Sequence, residues 1–501
     1  MINLRQLLPD YPLELPLQDI AGLSLDSREV TAGDAFVAVP GYQTDGRDYI
    51  DTAIAAGARL VLAESESVGV TMRGSALLVE VPQLKNQLST LAARFYGEPA
   101  RQLKVIGVTG TNGKTSVTYL IAQLLNQLGC KAGVIGTTGS GFPGDLVAES
   151  RTTPNAIAVQ QRLAQLLAAG AQAVAMEVSS HALVQRRVEA IPFKVGVATN
   201  ISRDHLDYHG TMSNYAAAKR RLFTELDTEI SILNVDDAAL MAWLPDRSDS
   251  WRISCQPQQH PQAVWASAIE FNDQGSKLQL HAVEQTFALQ SPLLGGFNVY
   301  NVLAAITAVH TLGYALPDIV AAVPNLHAVP GRMETFYAGA KQPLVIVDYA
   351  HTPDALQQVL QALRRHCRGK LWCVFGCGGD RDRGKRPQMG AIAAQYADRV
   401  VITDDNPRTE PVAQIVADIM AGIAQQQHVT VQHGRQQAVV EVLNSAQAGD
   451  VVLLAGKGHE DYQVIGQQSL PYNERALVAE WLAATQSEQA KSEQAKAEVR
   501  S

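Results

Sequence analysis

Basic residues are not in excess in this chain, cysteines are few, and no long apolar run interrupts it. Its 41 Lys and Arg stand against 49 Asp and Glu, a net charge of −8 with histidine neutral. No cationic surplus exists to draw in a phosphate backbone, so a dedicated nucleic-acid binder is excluded. The cysteines, Cys130, Cys255, Cys367, Cys373 and Cys377, are scattered with no CxxC pair. That spacing argues against a thiolate zinc site and a disulfide framework, and it fits a reducing compartment. The opening MINLRQLLPDYPLEL has neither a signal-peptide apolar segment nor a small-residue cleavage site. The longest charge-free stretch, Gln285 to Pro317, is broken by Pro292, Gly295, Gly296, Asn298 and Asn301. It reads as a buried helix with a loop before it, not as a membrane span. The expected location is cytoplasmic.

What is present is ample globular chain. A length of 501 residues suggests about three domains at roughly 150 residues each, and the composition supports several buried cores. Residues 1–88 alternate short apolar runs with turns (GDAFVAVPG, ARLVLAES, SALLVEV), as in a small α/β domain. After the helix-like LKNQLSTLAARFYG, a βαβ rhythm begins at Lys104. KVIGV, AGVIG, AVAMEV and KVGVAT read as strands, and Ser116–Leu128 and Ala156–Ala169 as helices. Residues 89–328 therefore predict a mostly parallel sheet with helices on its faces. Residues 329–485 repeat the rhythm with LVIVD, LWCVF, RVVIT, VTVQH and VVLLA, a second doubly wound sheet. Residues 486–501 carry a tandem SEQAK with no apolar period and are expected to be frayed helix or disorder.

The sharpest signal is GVTGTNGKTS, between a predicted strand and a predicted helix. Glycines at 107, 110 and 113 let backbone N–H groups wrap phosphate oxygens, and a helix N-terminus adds positive potential. Gly110, Thr111, Asn112, Gly113, Lys114, Thr115 and Ser116 form this candidate ATP loop, with Lys114 reaching the β- and γ-phosphates and Thr115 ligating Mg2+. The strict GxxxxGK[ST] spacing is not met.

Ligands of open parallel sheets sit beyond the carboxyl ends of strands. Those ends supply Glu177 and Ser179 after AVAMEV, and Asn200, Asp204 and His205 after KVGVAT. A carboxylate beside nucleotide phosphates needs an intervening cation, so Glu177 reads as a Mg2+ ligand. Taken singly, Glu177 could be a surface acid and His205 a structural histidine. Lys219, in the helical pattern SNYAAAKRRLF, reads by itself as a solvated face residue.

Together, TGTNGKTS, MEVSSHAL, NISRDHLDYHG, GGFNVYN, PGRME and DYAHTPD, in this order, resemble the Mur ligase family, ATP-dependent amide-forming enzymes of peptidoglycan assembly. The resemblance covers all but the tail, and the longer phosphate loop is the family's form. It implies an α/β fold of three domains: a small UDP-binding domain, a central P-loop-type parallel-sheet ATPase domain and a C-terminal Rossmann-like domain. Within the family the chain is most similar to the members that add meso-2,6-diaminopimelate to UDP-N-acetylmuramoyl-L-alanyl-D-glutamate. The residues that match their UDP-sugar-peptide site are Leu25, Ser27, Tyr42, Gln43, Thr44, Arg151, Thr152, Thr153, Ser179, Gln185 and Arg187. Family members often carry His where Tyr42 stands, and some carry Asn where Arg151 stands. Lys219 matches a lysine carried as a carbamate that ligates Mg2+, and His205 the histidine near a second metal. Asn298, Asn301, Arg332 and Asp348 match nucleotide-site residues.

In the C-terminal block the strand ends present Asp348, GCGGDRDRGKR, Asp404-Asp405-Asn406-Pro407-Arg408 and Gly456 with GKGHEDYQ, all expected on one rim. The resemblance makes DNPR the amino-acid selector. Diaminopimelate differs from lysine by a second carboxylate, which the planar Arg408 can grip bidentately. Asn406 adds a hydrogen bond, Glu460 takes the distal ammonium and Arg381 holds the other carboxylate; Asp405, Pro407 and Gly456 complete the set. Out of context DNPR is ordinary turn chemistry. Three other readings stay open: a lysine-adding ligase, a folylpolyglutamate synthase-like ligase, against which LDSR and GYQTDG argue, and an ATP-binding switch without ligase chemistry.

Overall fold

The computed structural model describes residues 2–11, 19–41, 44–244, 247–337, 339, 341–425 and 427–498, with side chains from Leu4 to Ser487. Tyr42 and Gln43 lie outside the described residues. Two compact units form. One comprises Met1–Ser254, Gln258–Trp265 and Leu303–Ile319; the other comprises Cys255–Pro257, Ala266–Val302 and Val320–Ser501.

The first unit opens with β1 (Leu23–Ser24), β2 (Ala35–Ala38), β3 (Leu60–Ser65), β4 (Gly69–Arg73) and β5 (Ala76–Pro82). They make a sheet of order β1-β2-β3-β5-β4, parallel except for β4. Helix α1 (Leu84–Phe95), which the expected boundary at 88 would divide, sinks Leu84, Leu91 and Ala92 into the core of this sheet. Apolar residues at this helical spacing force the whole helix onto one surface.

The larger sheet of this unit begins with β6 (Lys104–Thr109), α2 (Lys114–Gln127), β7 (Ala132–Gly136), β8 (Gly139–Phe142) and β9 (Asp145–Val147). Then follow α3 (Ala156–Ala168), β10 (Ala173–Glu177), α4 (Ser180–Val184), β11 (Phe193–Ala198), α5 (Leu206–His209), α6 (Met212–Thr224), β12 (Thr228–Asn234) and β13 (Trp251–Ser254). The order runs β9-β8-β7-β10-β6-β11-β12-β13. Strand β10 is buried along its whole length, as a parallel strand covered on both faces must be. Because β11 follows β10 in the chain but lies on the other side of β6, the topological switch falls at the carboxyl end of β6, where a crevice opens.

Strand β14 (Ala263–Asn272) pairs its first residues with β13 in this unit. In the second unit, β15 (Gly275–Ala282) and β16 (Gln285–Ser291) form a hairpin ahead of α7 (Gly296–Thr311). The charge-free stretch thus holds the expected helix with a loop, Pro292–Gly295, before it, and ahead of that loop a strand that was not expected: Thr286, Phe287 and Leu289 fit a pleated surface. His366 ties this segment to the C-terminal residues. Its Nδ1 meets the Asn272 carbonyl at 2.6 Å and its Nε2 accepts from Gly295 N–H at 2.9 Å.

The C-terminal sheet comprises β17 (Glu334–Phe336), β18 (Leu344–Asp348), β19 (Leu371–Phe375), β20 (Arg399–Ile402), β21 (Val429–Val431) and β22 (Val451–Ala455). Its order is β17-β18-β22-β19-β20-β21. Helices α8 (Pro353–Arg364), α9 (Lys385–Tyr396), α10 (Val412–Met420) and α11 (Arg435–Ser445) cover it. Helix α8 shows why: Thr352 caps its first turn by accepting from Ala355 N–H, Pro353 sits at its first position, and Leu356, Val359, Leu360 and Leu363 form one buried face. Each buried Leu contributes roughly 1.5–3 kcal/mol. The hairpin β23 (Tyr462–Ile465) and β24 (Gln468–Pro471) leads to α12 (Glu474–Glu498). The SEQAK tail, expected to be frayed helix or disorder, is helical through Glu498; Ala, Glu, Gln and Lys carry high helix propensity even without an apolar face. Among the described residues no helix is long and apolar enough to cross a membrane.

Helices α11 and α12 are joined by a buried ion pair. Arg435 and Glu474 are both 0% exposed, with Nε–Oε2 at 2.5 Å and Nη2–Oε1 at 2.9 Å. Arg435→Leu strands the Glu474 charge, so a loss of about 3–5 kcal/mol is expected in urea unfolding. A loss under about 1 kcal/mol would show that the carboxylate finds another partner.

Candidate active site

The carboxyl end of β6 turns into the phosphate loop. Gly110 has φ +145° and a Cβ there would stand 1.9 Å from Thr199 Oγ1, so the position requires glycine. The residues after β11 brace the loop from its far side. Thr111 N–H donates to Asn200 O at 2.8 Å, Asn112 N–H to Asn200 Oδ1 at 3.0 Å, and Thr199 Oγ1 donates to Asn112 O at 2.6 Å. Gly113, at φ +86°, releases the chain into α2, whose first N–H groups, Ser116 included, have no partner within the helix. Lys114 folds back over the loop, donating to Gly110 O at 2.9 Å and Thr111 O at 2.8 Å.

Glu177, at the end of β10, is 1% exposed, which sets aside the surface-acid reading. Its Oε1 accepts from Thr115 Oγ1 at 2.9 Å and from Thr137 N–H at 2.7 Å. Burial pushes its carboxyl up, and the Lys114 charge opposes that shift. Thr137 follows β7, so one carboxylate joins three strand ends.

Lys219 is likewise 1% exposed, and the solvated-face reading is corrected. Helix α6 aims its ammonium inward, because the opposite face is the one that meets water. Nζ donates to Gly110 O at 2.8 Å and lies 4.6 Å from the Tyr215 ring centre. Burial, then the nearby Lys114, brings its pKa down to about 6, which favours the neutral amine. His205 caps α5 with a left-handed φ of 50° and keeps its side chain half exposed. Its ring is 4.8 Å from His181 and 6.2 Å from Tyr215. His181 and His209 belong to the same group, His209 Nε2 lying 2.9 Å from Ser180 Oγ. Sequence reasoning missed both; the HxxxH spacing of 205 and 209 was the available signal.

Beside Glu177 lie the expected sugar-peptide residues. Thr153 Oγ1 donates to Glu177 O at 2.8 Å and accepts from Ser179 N–H at 3.0 Å. Arg187 donates to Thr153 O at 2.7 Å and to Gln185 Oε1, and Gln185 Nε2 reaches Tyr208 OH at 3.2 Å. Thr152 meets Thr137 Oγ1 at 3.2 Å, while Arg151 is exposed. Leu25 and Ser27 follow the carboxyl end of β1, and Thr44 closes a turn onto Gly41 after β2, so all three belong to one rim of the first sheet.

In the second unit, Asp348 ends β18 and accepts from Met333 N–H at 2.7 Å and Ala350 N–H at 2.8 Å. Burial pushes its carboxyl up. Arg332 stacks 4.8 Å from the Tyr349 ring, and a Cβ on Gly331 would stand 2.1 Å from His459 N, so the PGRM, DYAH and GKGH segments meet. Asn301 Nδ2 donates to Asn298 Oδ1 at 2.8 Å, and both are buried on α7. The ends of β19, β20 and β22 bring together Asp405, Asn406, Pro407, Arg408, Gly456 and Glu460. At their centre stands a residue not singled out by sequence, Lys457, fully buried. Its Nζ lies 2.5 Å from Asn406 Oδ1, 3.1 Å from Glu460 Oε2 and 3.2 Å from Asp405 Oδ1. Arg408, at φ 51°, donates Nη1 to Gly379 O at 2.9 Å; among the described residues its Nε and Nη2 have no partner. Hairpin β23–β24 fixes its backbone, through Arg408 N–H to Val464 O at 3.1 Å and Gly466 N–H to Arg408 O at 2.7 Å. Arg381 is exposed and reaches only the carbonyl of its neighbour Asp380.

Three family models match in chain order: Mur ligase family, catalytic domain, over residues 19–96; Mur ligase middle domain over 108–309; and Mur ligase, glutamate ligase domain, over 331–458. The chain belongs to the Mur ligase family. Among its Mur ligase relatives is UDP-N-acetylmuramoyl-L-alanyl-D-glutamate--2,6-diaminopimelate ligase of Ectopseudomonas mendocina (strain ymp), 49% identical over 96% of this chain and 98% of that protein. The protein of the same name from Pseudomonas aeruginosa is 49% identical over 95% and 98%. A solved structure under that name superposes with a TM-score of 0.74 at 36% identity, covering 97% of this chain and 99% of the other.

Gly136 supplies a test of the Glu177 geometry. A Cβ there would stand 2.3 Å from Glu177 Oε1, so Gly136→Ala must push the carboxylate off Thr115 and Thr137. A fall of about 100-fold in kcat is expected from such a displacement, measured by phosphate release. Wild-type turnover would mean that the Glu177 position is not critical.

Proposed function

We propose that this chain is an ATP-dependent ligase that joins meso-2,6-diaminopimelate to the D-glutamate γ-carboxylate of UDP-N-acetylmuramoyl-L-alanyl-D-glutamate, a cytoplasmic step of peptidoglycan precursor synthesis. The observation that carries the substrate assignment is the charge pattern around Arg408. One guanidinium edge has no partner, and beside it two carboxylates, Asp405 and Glu460, face a single buried Lys457. Asp405 Oδ1 is buried without a hydrogen bond. This is the complement of a carboxylate and an ammonium on one carbon, the group that diaminopimelate has and lysine lacks at the far end. The names of the relatives support the same reading.

The γ-phosphoryl group of ATP is transferred to the γ-carboxylate, giving an acyl phosphate and ADP. The phosphate loop orients the chain of phosphates, and Lys114 sets a positive charge against the transferring oxygens. The amine of diaminopimelate then attacks the acyl carbon, and the tetrahedral adduct expels phosphate as the amide forms. Thr115, Glu177, a carbamylated Lys219 and His205 are the residues that would hold Mg2+. Their fit rests on the buried Glu177 carboxylate beside the Thr115 hydroxyl, a donor set that suits a cation held by few protein oxygens and by substrate phosphates. When bound, Mg2+ supplies charge neutralisation on the phosphoryl oxygens. A neutral Lys219 amine can add CO2 at its nitrogen with loss of a proton, replacing a cation by a carboxylate. Asn298, Asn301, Arg332 and Asp348 serve the nucleotide. Leu25, Ser27, Thr44, Thr152, Thr153, Ser179, Gln185 and Arg187 serve the UDP-sugar peptide.

Phosphate release with ATP, Mg2+ and the UDP-sugar dipeptide should favour diaminopimelate over L-lysine by on the order of 10⁴-fold in kcat/KM. Arg408→Lys should narrow that ratio. Release mainly with lysine overturns the selector; release with neither, from folded protein supplied with bicarbonate, overturns the ligase. Activity should also fall in CO2-depleted buffer and return with bicarbonate. That dependence should steepen as pH falls through about 6, where Lys219 gains its proton and loses the free amine. Activity indifferent to bicarbonate at every pH would exclude the carbamate.

A further inference from the structure

Arg386, in the first turn of α9, is 0% exposed and touches no part of the pocket described above. Its guanidinium donates Nη1 to Glu410 Oε1 at 2.8 Å and Nη2 to Glu410 Oε2 at 2.7 Å. Nη2 also reaches Gly378 O at 3.2 Å. Glu410 lies two residues after Arg408, and Gly378 is in the loop after β19, so one buried side chain holds two loops. Glu410 completes the link by accepting from Asp380 N–H at 3.1 Å. On the outside, Asp380 Oδ2 accepts from Thr409 N–H at 3.0 Å and from its hydroxyl at 2.8 Å. Between these ties Gly379 N–H donates to Asn406 O at 2.9 Å, and Gly379 O receives Arg408 Nη1 at 2.9 Å. The loops are packed backbone to backbone: a Cβ on Gly379 would stand 1.9 Å from Pro407 O.

We propose that Arg386 and Glu410, with the Asp380–Thr409 clasp, are positioning residues for amino-acid selection: they fix the distance between the Gly378–Asp380 loop and the Asn406–Glu410 loop, and so aim the free edge of Arg408. The physical reason is that Arg408 has a long, flexible side chain whose direction is set mainly by one carbonyl, Gly379 O at 2.9 Å, with a longer contact to Asn406 O at 3.4 Å. That carbonyl is only as fixed as the loop that carries it. A bidentate buried pair is the stiffest polar link available to a loop. Glu410 is held down to about 2 by Arg386, so the link stays charged throughout any working pH. The inference rests on the reading that Arg408 grips the distal carboxylate of the incoming amino acid.

Glu410 Oε1 accepts from Arg386 Nη1 and lies 2.8 Å from Arg383 Nη2 in an ion pair, while Oε2 accepts from Arg386 Nη2 and Asp380 N–H. Glu410→Gln therefore sets an NH2 against two donors and loosens the link at nearly constant volume. Thr409→Val removes the hydroxyl half of the outer clasp, at an exposed residue, and leaves the backbone N–H bond to Asp380. Asp418→Asn is the control: Asp418 accepts Arg386 Nη1 at 2.8 Å from α10 and touches neither loop. Steady-state kinetics for all substrates, with thermal melts, should be run on these variants and on Arg408→Lys. Glu410→Gln and Thr409→Val should raise KM for diaminopimelate and cut its preference over lysine by about 10- to 100-fold. Their kcat, and KM for ATP and the UDP-sugar dipeptide, should stay within about twofold of wild type, as expected for a group that affects binding of one substrate only. Asp418→Asn should lower the melting temperature without moving KM for diaminopimelate. Wild-type selectivity in Glu410→Gln and Thr409→Val, with selectivity lost in Arg408→Lys, overturns the positioning role and leaves the Arg408 reading intact. Unchanged selectivity in Arg408→Lys overturns that reading itself. Equal KM shifts in Asp418→Asn show general softening and also overturn the proposal.

Discussion

A carboxylate withdrawn from water at the end of β10 holds the first unit's chemistry together. Glu177 accepts from the first turn of α2 through Thr115 and from the chain after β7 through Thr137, and its own backbone carbonyl receives Thr153. An isolated buried carboxylate is costly, so this one is tolerated only with its donors in place and with Lys114 nearby. The phosphate loop, the sugar-peptide residues and the inward-facing lysine of α6 are thus in fixed relation to one anionic group. The same burial that pushes the Glu177 proton affinity up pushes that of Lys219 down.

The second unit uses charge in a different way. Lys457 stands among Asp405, Asn406 and Glu460 with one carboxylate in excess, close in sequence to the open edge of Arg408. Two further buried pairs, Arg386 with Glu410 and Arg435 with Glu474, link segments distant in the chain. Buried pairs of this kind contribute little net stability compared with an apolar core. The first holds two loops together and the second joins two helix starts.

Much of this was legible before any coordinates. Most strands from KVIGV to VVLLA are short apolar runs, the pattern of strands buried on both faces of a parallel sheet, and their shortness argues against helices. The phosphate loop was legible because glycine spacing, lysine and helix start are local in sequence. Less local features were missed. Hairpin β15–β16 carries alternating polar and apolar residues among many turns, and the grouping of Ala266–Val302 with the C-terminal residues depends on His366, which lies about seventy residues further on. The tail's helix, one of the two states expected for it, follows from propensity alone.

Residue type, order and spacing by themselves determined the alternation of strands and helices, the presence of a nucleotide loop and the resemblance that named the substrates. Tertiary structure alone decided the state of the charged groups. Lys219 on its helix is indistinguishable in sequence from a solvated lysine, and Lys457 and Arg386 are two more cations in glycine-rich loops and helix starts. Whether each is a surface charge, a neutral amine or a buried clamp depends on how much water the packed neighbours remove and which carboxylates or carbonyls they leave in its place. That balance arises only where segments distant in the chain meet.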